Sequence, residues 1–239
     1  MLPLGHIESL ADALDDALRT SPGDVALIEL DRRVELRRMT YRDVFAEAAR
    51  VARAFAPLLP AAAAFDQRLV AIVMSNQSRW LTSATGAFFA GATLVPVDHK
   101  LRPDEQAGVL RHAKPRIIVT EWHAWRELRP HVDGLGAHVF VTGCPDGVDP
   151  EGADRWPGDA LATVDRAETE PATLPDVPRS SRGDVACVVY SSGTSGDVKG
   201  CMLTHGNYLA QAESLGRLYP MRSGEVYFSI LPTNHAIDF

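Results

Sequence analysis

The chain has 239 residues, 46% of them hydrophobic and 23% charged, which suits one large globular domain or two small ones and excludes a disordered tail. Its formal net charge of −7 argues against a general basic surface for nucleic acid. Three cysteines without a CxxC pair make no secreted disulfide framework, and neither a signal-like N-terminus nor a run of about 18 apolar residues is present, so a cytoplasmic protein without a membrane span is expected.

Residues 25–30 and 34–39 read as two short strands joined by Asp31, Arg32 and Arg33, a hairpin. From Tyr41 the period changes. Val44, Phe45, Ala48, Val51, Ala52 and Phe55 follow helical spacing, with Thr40 placed to cap the first turn, Asp43 three residues on, and an end near Pro57. Strand and helix then alternate: strand 68–74, helix 78–90, strand 93–97, helix 103–113, strand 116–120, a helical turn or two from Glu121, and strand 138–141. This alternation predicts an α/β fold, a mainly parallel sheet covered by helices. Residues 142–183 turn to Pro, Gly, Asp and Glu and read as a surface connection. A buried strand at 184–190, a helix from about Thr204 with Leu209, Ala212 and Leu215 on one face, and a strand at 226–230 complete the series. The eight histidines lack the spacing of a helical metal site.

Between the last two of these strands lies the densest chemistry in the chain, "YSSGTSGDVKG" from Tyr190 to Gly200. A strand that runs into glycines can turn its backbone N–H groups into a concavity, because glycine adopts positive φ and puts no side chain in the way. Ser191, Ser192, Thr194 and Ser195 add hydroxyls, and Lys199 adds one mobile positive charge. Phosphate suits such a cradle. An ordinary surface turn has a similar composition, and the Walker A loop fails because Lys199 is followed by Gly200 rather than Ser or Thr.

The stretch resembles the phosphate loop of the AMP-forming acyl-adenylating family, which includes acyl-CoA synthetases, fatty acyl-AMP ligases, luciferases and peptide-synthetase adenylation domains. Tyr190, Ser191, Ser192, Gly193, Thr194, Ser195, Gly196, Lys199 and Gly200 match the family pattern, whereas Val198 stands where the family usually has proline. Three further segments in the same order are similar to family segments: "MTYRDV" at 39–44, "GAFFAGATLVPVD" at 86–98 and "LPTNH" at 231–235.

The resemblance implies that residues 1–239 are the N-terminal part of an AMP-binding domain, with the family's C-terminal domain absent from this chain. It implies an AMP-forming acid–thiol ligase that uses ATP and Mg²⁺ to convert a medium- or long-chain fatty acid to an acyl-adenylate and passes the acyl group to CoA. The alternatives are a fatty acyl-AMP ligase that loads the phosphopantetheine of an acyl carrier protein, or a truncated module that only binds nucleotide or a partner. Within the loop, Ser191, Ser192, Gly193, Thr194, Ser195, Gly196 and Lys199 would bind the nucleotide phosphates, and Thr194 would be the metal contact. Lys199 and His235 would be the catalytic residues, with His235 beside the carboxylate and the α-phosphate. The family's downstream adenine, ribose and lysine segments have no match before Phe239, so the chain by itself is expected to be inactive.

Overall fold

The computed structural model describes residues 4–61, 64–158, 173–192, 198–220 and 224–229. Helix α1 (Leu10–Thr20) precedes a two-stranded antiparallel ribbon, β1 (Val25–Asp31) and β2 (Val34–Thr40). Helix α2 (Tyr41–Phe55) follows at once. Its start is set by a capping box, in which Asp43 N–H donates to Thr40 Oγ1 at 3.2 Å and Thr40 N–H donates to Asp43 Oδ2 at 2.9 Å.

The alternating run is β3 (Leu69–Val73), α3 (Ser78–Phe89), β4 (Thr93–Val97), α4 (Pro103–Ala113), β5 (Ile117–Glu121), α5 (Trp122–Val132) and β6 (His138–Thr142). Then come the two-residue β7 (Asp154–Arg155), β8 (Val185–Ser192), β9 (Val198–Thr204) and α6 (His205–Leu218). Seven of the strands form one sheet in the order β7-β6-β5-β3-β4-β8-β9, parallel throughout except for the antiparallel β8–β9 pair.

Every residue of β3 and β4 is buried, because helices cover both faces of the sheet. Val70, Ile72, Leu94, Ile117 and Val119 face a cluster with α2 and α3, including Phe55, Trp80 and Phe88. Leu69, Ala71, Val73, Val95 and Ile118 face the opposite cluster, with Leu110 of α4 and Leu128 of α5. Two features lock the first layer. Gly86 lets α3 approach α2 so closely that an added Cβ would lie 2.6 Å from Val51 Cβ and 2.8 Å from the Ala48 carbonyl oxygen. Buried Glu47 accepts from Arg37 of β2 and, at 2.8 Å, from Thr82 of α3, so this buried carboxylate is paired and hydrogen-bonded. Beneath the sheet, Arg68 donates to the carbonyls of Gly91 and Ala90, each at 2.8 Å, and to that of Pro60. Its cation thereby meets the carbonyl end of α3, which offsets part of its desolvation.

The structure departs from the sequence reading in five places. Helix α1 was not anticipated, although Ser9 Oγ caps it by accepting from Asp12 N–H at 3.1 Å. Helix α5 is longer than a turn or two and contains Pro130 near its end. The segment after β6 is not all surface: Asp154 and Arg155 pair with β6, and Trp156 is buried, with its Nε1–H donating to Ser83 Oγ at 2.9 Å. A single Trp in a Pro- and Gly-rich stretch has no periodicity to announce it. Residues 198–204 form a strand that the sequence reading did not anticipate, while the helix expected from about Thr204 begins at His205. Residues 226–229 are not a strand, and Val226, Tyr227 and Phe228 are 81%, 66% and 70% exposed, with no ladder beside them among the described residues.

Candidate functional site

The glycine-rich stretch closes the β8–β9 hairpin. Tyr190 stands opposite Gly200, Ser191 opposite Lys199 and Ser192 opposite Val198. Directly opposed residues of an antiparallel pair share a face, with Cα atoms about 4.5–5.5 Å apart. Lys199 therefore stands across from Ser191 in the ladder, at the mouth of the loop. It is exposed and has no ion-pair partner among the described residues. Gly193, Thr194, Ser195 and Gly196, which form the expected cradle, and His235 lie outside the described residues.

Tyr190 and Gly200, the two ends of the quoted stretch, have a structural reason for their identities. A Cβ on Gly200 would meet Val188 Cγ1 at 2.7 Å and Tyr190 Cζ at 3.2 Å, so the tyrosine ring occupies the space that a side chain at 200 would need. The ring continues to α4, where Tyr190 Oη lies 2.9 Å from His112 Nδ1 and the two rings meet edge to face with centroids 5.6 Å apart. Burial raises the Tyr190 pKa and keeps the phenol protonated. Nothing in the sequence signals this contact, because its partners are 78 residues apart.

The hairpin's other end is anchored by α6. Asn207 N–H donates to Thr204 Oγ1 at 3.2 Å and Thr204 N–H to Asn207 Oδ1 at 2.9 Å, a second capping box. His205 is buried at this corner, and its Nδ1 accepts from Leu10 N–H at 3.1 Å, joining α6 to the start of α1. Burial lowers its pKa against the opposing pull of Asp184 and Asp12, so the ring is held neutral. Asp184 accepts from Ser181 N–H at 2.7 Å and Ser181 Oγ–H at 3.0 Å, which depresses its own pKa. Burial pushes the Cys187 thiol up to about 12, which removes it as a nucleophile.

At the carboxyl ends of β3 and β5, where the strand order reverses, Glu121 accepts from Ser75 Oγ at 2.7 Å and from Gln77. Its acceptor capacity is thus used by its own neighbours. Among the described residues no group of three His, Cys, Asp or Glu side chains is placed to hold a metal ion, and no helix is long and apolar enough to cross a membrane.

Residues 14–239 match the family described as AMP-binding enzyme. A chloroplastic long-chain-fatty-acid acyl-carrier-protein ligase of Arabidopsis thaliana is 27% identical over 181 residues, covering 71% of this chain and 25% of that protein. A crotonobetaine/carnitine–CoA ligase of Citrobacter koseri is 25% identical over 170 residues, covering 70% of this chain and 31% of that protein. Among solved structures, an anthranilate CoA ligase in complex with anthranoyl-AMP superposes with a TM-score of 0.67 at 27% identity, over 90% of this chain and 37% of that one. The chain thus spans well under half the length of these relatives. The match over nearly the whole chain establishes that this chain belongs to the AMP-binding enzyme family.

Proposed function

We propose that the protein activates a carboxylic acid with ATP: a carboxylate oxygen attacks the α-phosphorus, the bond from that phosphorus to the bridging oxygen breaks, and pyrophosphate leaves with the electron pair. The acyl-adenylate then loses AMP to a thiol, that of CoA in the first reading. The observation that carries this is the placement of Lys199 opposite Ser191 at the loop end of the β8–β9 hairpin, a cation with no ion-pair partner among the described residues at the mouth of a loop of glycines and hydroxyls.

Negative charge grows on the leaving group as the bond breaks, and an ammonium held in advance beside it lowers the barrier without reorganising. Ser191, Ser192, Thr194 and Ser195 would donate to the phosphate oxygens, while Gly193 and Gly196 would let the backbone approach. These hard oxygen donors also fit Mg²⁺ carried by the nucleotide, which would neutralise phosphate charge, with Thr194 as its contact. His235 would hydrogen-bond the carboxylate near the α-phosphate.

A medium- or long-chain fatty acid is the proposed substrate, from the "LPTNH" segment; the relatives' names span fatty, carnitine-type and aromatic acids. A carrier-protein thiol is the second reading, favoured by the acyl-carrier-protein ligase among the relatives. The cytoplasm is the proposed compartment. Residues 1–239 by themselves should bind ATP weakly and form no acyl-adenylate. They span 25% to 31% of these curated relatives, and positioning of the reacting groups supplies up to about 7–11 kcal/mol of such catalysis.

ATP–pyrophosphate exchange with a panel of carboxylic acids tests the reading, on residues 1–239 and on a chain extended to the relatives' length. Acid-dependent exchange in the extended chain is expected, and its absence with every acid would overturn the proposal.

A further inference from the structure

The tip of the β8–β9 hairpin outruns the strand beside it, because β4 ends at Val97 while β8 continues to Ser192. Strand β8 is registered against β4 at one position, Leu94 opposite Cys187, whereas its pairing with β9 continues to Ser192. Strand β9 is the sheet edge. Counted from Leu94 opposite Cys187, β4 ends three residues on at Val97, so Ser191, Ser192 and their partners Lys199 and Val198 extend past it. A two-stranded ribbon is marginally stable by itself. Something else must hold its tip if Lys199 is to meet a phosphate in a fixed place.

Val188, Tyr190 and Val198 pack against the cluster that includes α4, and Tyr190 adds a side-chain hydrogen bond to that helix. The Tyr190 ring covers Gly200 on the neighbouring strand, and its hydroxyl bonds His112 near the end of α4. That helix is a firm post. Gln106 donates to the carbonyls of Asp98, His99 and Leu101 at 3.3, 3.2 and 3.0 Å, Arg111 donates to the His131 carbonyl at 2.8 Å, and Ala107 and Leu110 are fully buried.

We infer that His112 is a positioning residue for the glycine-rich loop, acting through Tyr190 to hold the hairpin tip against α4. The inference rests on the reading of that loop as the phosphate site. His112 Nδ1 lies within hydrogen-bond distance of the Tyr190 hydroxyl, and Tyr190 in turn fixes both strands one residue before the Ser191–Lys199 pair. Loss of the hydroxyl bond would let that pair drift, and a displacement of about 1 Å at a reacting group costs on the order of a hundredfold in rate, so a partial drift should cost about tenfold.

The test uses the full-length protein carrying His112→Leu, Tyr190→Phe, both together, and His112→Gln, whose amide can still bond the phenol. Tyr190→Phe keeps the ring over Gly200 and removes only the hydroxyl. Two quantities are read: amide hydrogen exchange at Ser191, Lys199 and Gly200, with β3 and β5 as internal references, and kcat and KM of acid-dependent pyrophosphate exchange. Expected are exchange about tenfold faster at the tip in either single variant, no further gain in the double variant, rescue by His112→Gln, and kcat about tenfold lower with the KM for the acid unchanged. Unchanged tip exchange, or effects of the two single variants that multiply in the double, would overturn the clamp. Faster exchange with unaltered kcat would reduce it to a structural contact and overturn the positioning role. If the wild-type protein shows no acid-dependent exchange, the phosphate-loop reading fails, and hydrogen exchange at the tip still decides whether the clamp exists.

Discussion

Strands β3 and β4 and the hairpin β8–β9 share one sheet, yet their residues experience opposite environments. All ten positions of β3 and β4 are buried under helices on both faces, while residues 199–202 of β9 are exposed at the edge. The centre is held by apolar area, at roughly 25 cal/mol per Å² removed from water, and tolerates no open polar group. Unpaired polar groups are compatible with the rim, where Lys199 is solvated. Stability and the proposed function should therefore respond to different substitutions.

The largest expected effect lies at the centre. Phe55 is fully buried beneath the sheet, 5.3 Å from the ring of Phe140, and Phe55→Ala should remove about 3–5 kcal/mol of stability, read by chemical denaturation. A loss below about 1 kcal/mol would mean that the core at this point is loose enough to collapse around the cavity. Next is Gly86→Ala. Alanine improves helix propensity by about 1 kcal/mol, but its Cβ would strike Val51 and the Ala48 carbonyl, and overpacking of this kind costs about 1–3 kcal/mol. Net destabilisation is expected, and a stabilised variant would show that α2 and α3 can separate freely.

Lys199→Ala should do the reverse. Pyrophosphate exchange in the full-length protein should slow by at least about tenfold, roughly 1.4 kcal/mol in the barrier, with the melting temperature unchanged. A lower melting temperature with unaltered exchange would make Lys199 a structural residue and erase the contrast between centre and rim.

A pH effect sharpens the same contrast at the corner where α6 meets α1. The His205 pKa is depressed below its ordinary 6.5 by burial, so the unfolded chain binds a proton that the folded chain resists. His205's contribution is complete above about pH 6.5 and is lost as pH falls from there toward the folded pKa. The melting temperature should drop between pH 7.5 and 5.5, and His205→Gln should flatten that dependence. Below the ordinary carboxylate range the lowered pKa of Asp184 adds a loss of the same sign.

The smallest effect is expected at Val198→Pro. Val198 is the first residue of β9, a position where a strand tolerates proline, so stability should stay level or rise by up to about 1 kcal/mol. Clear destabilisation would show that the Val198 N–H is needed in the ladder opposite Ser192.

Legibility in the sequence followed the same division. The alternation of 69–142 could be read directly because strands buried on both faces are apolar runs and the intervening helices carry 3.6-residue spacing. The hairpin β1–β2 and the Thr40 cap were readable for equally local reasons. Strand β9 was not, because "VKGCMLT" is neither an alternating nor an apolar run, and an edge strand that is mostly exposed leaves no hydrophobic pattern. Trp156, His205 and His112 were invisible as partners, since each acts through a residue far along the chain.

The sequence by itself determined the α/β class, the family and the residue types of the phosphate-loop candidate, because periodicity and motif are properties of neighbouring residues. Only the tertiary structure decided that the loop joins the strands of an antiparallel hairpin, that Lys199 pairs with Ser191 in its ladder, and that Gly200 is glycine because Tyr190 lies over it. Register, edge position and a ring packed across two strands depend on which distant segments meet, and no local pattern encodes that meeting.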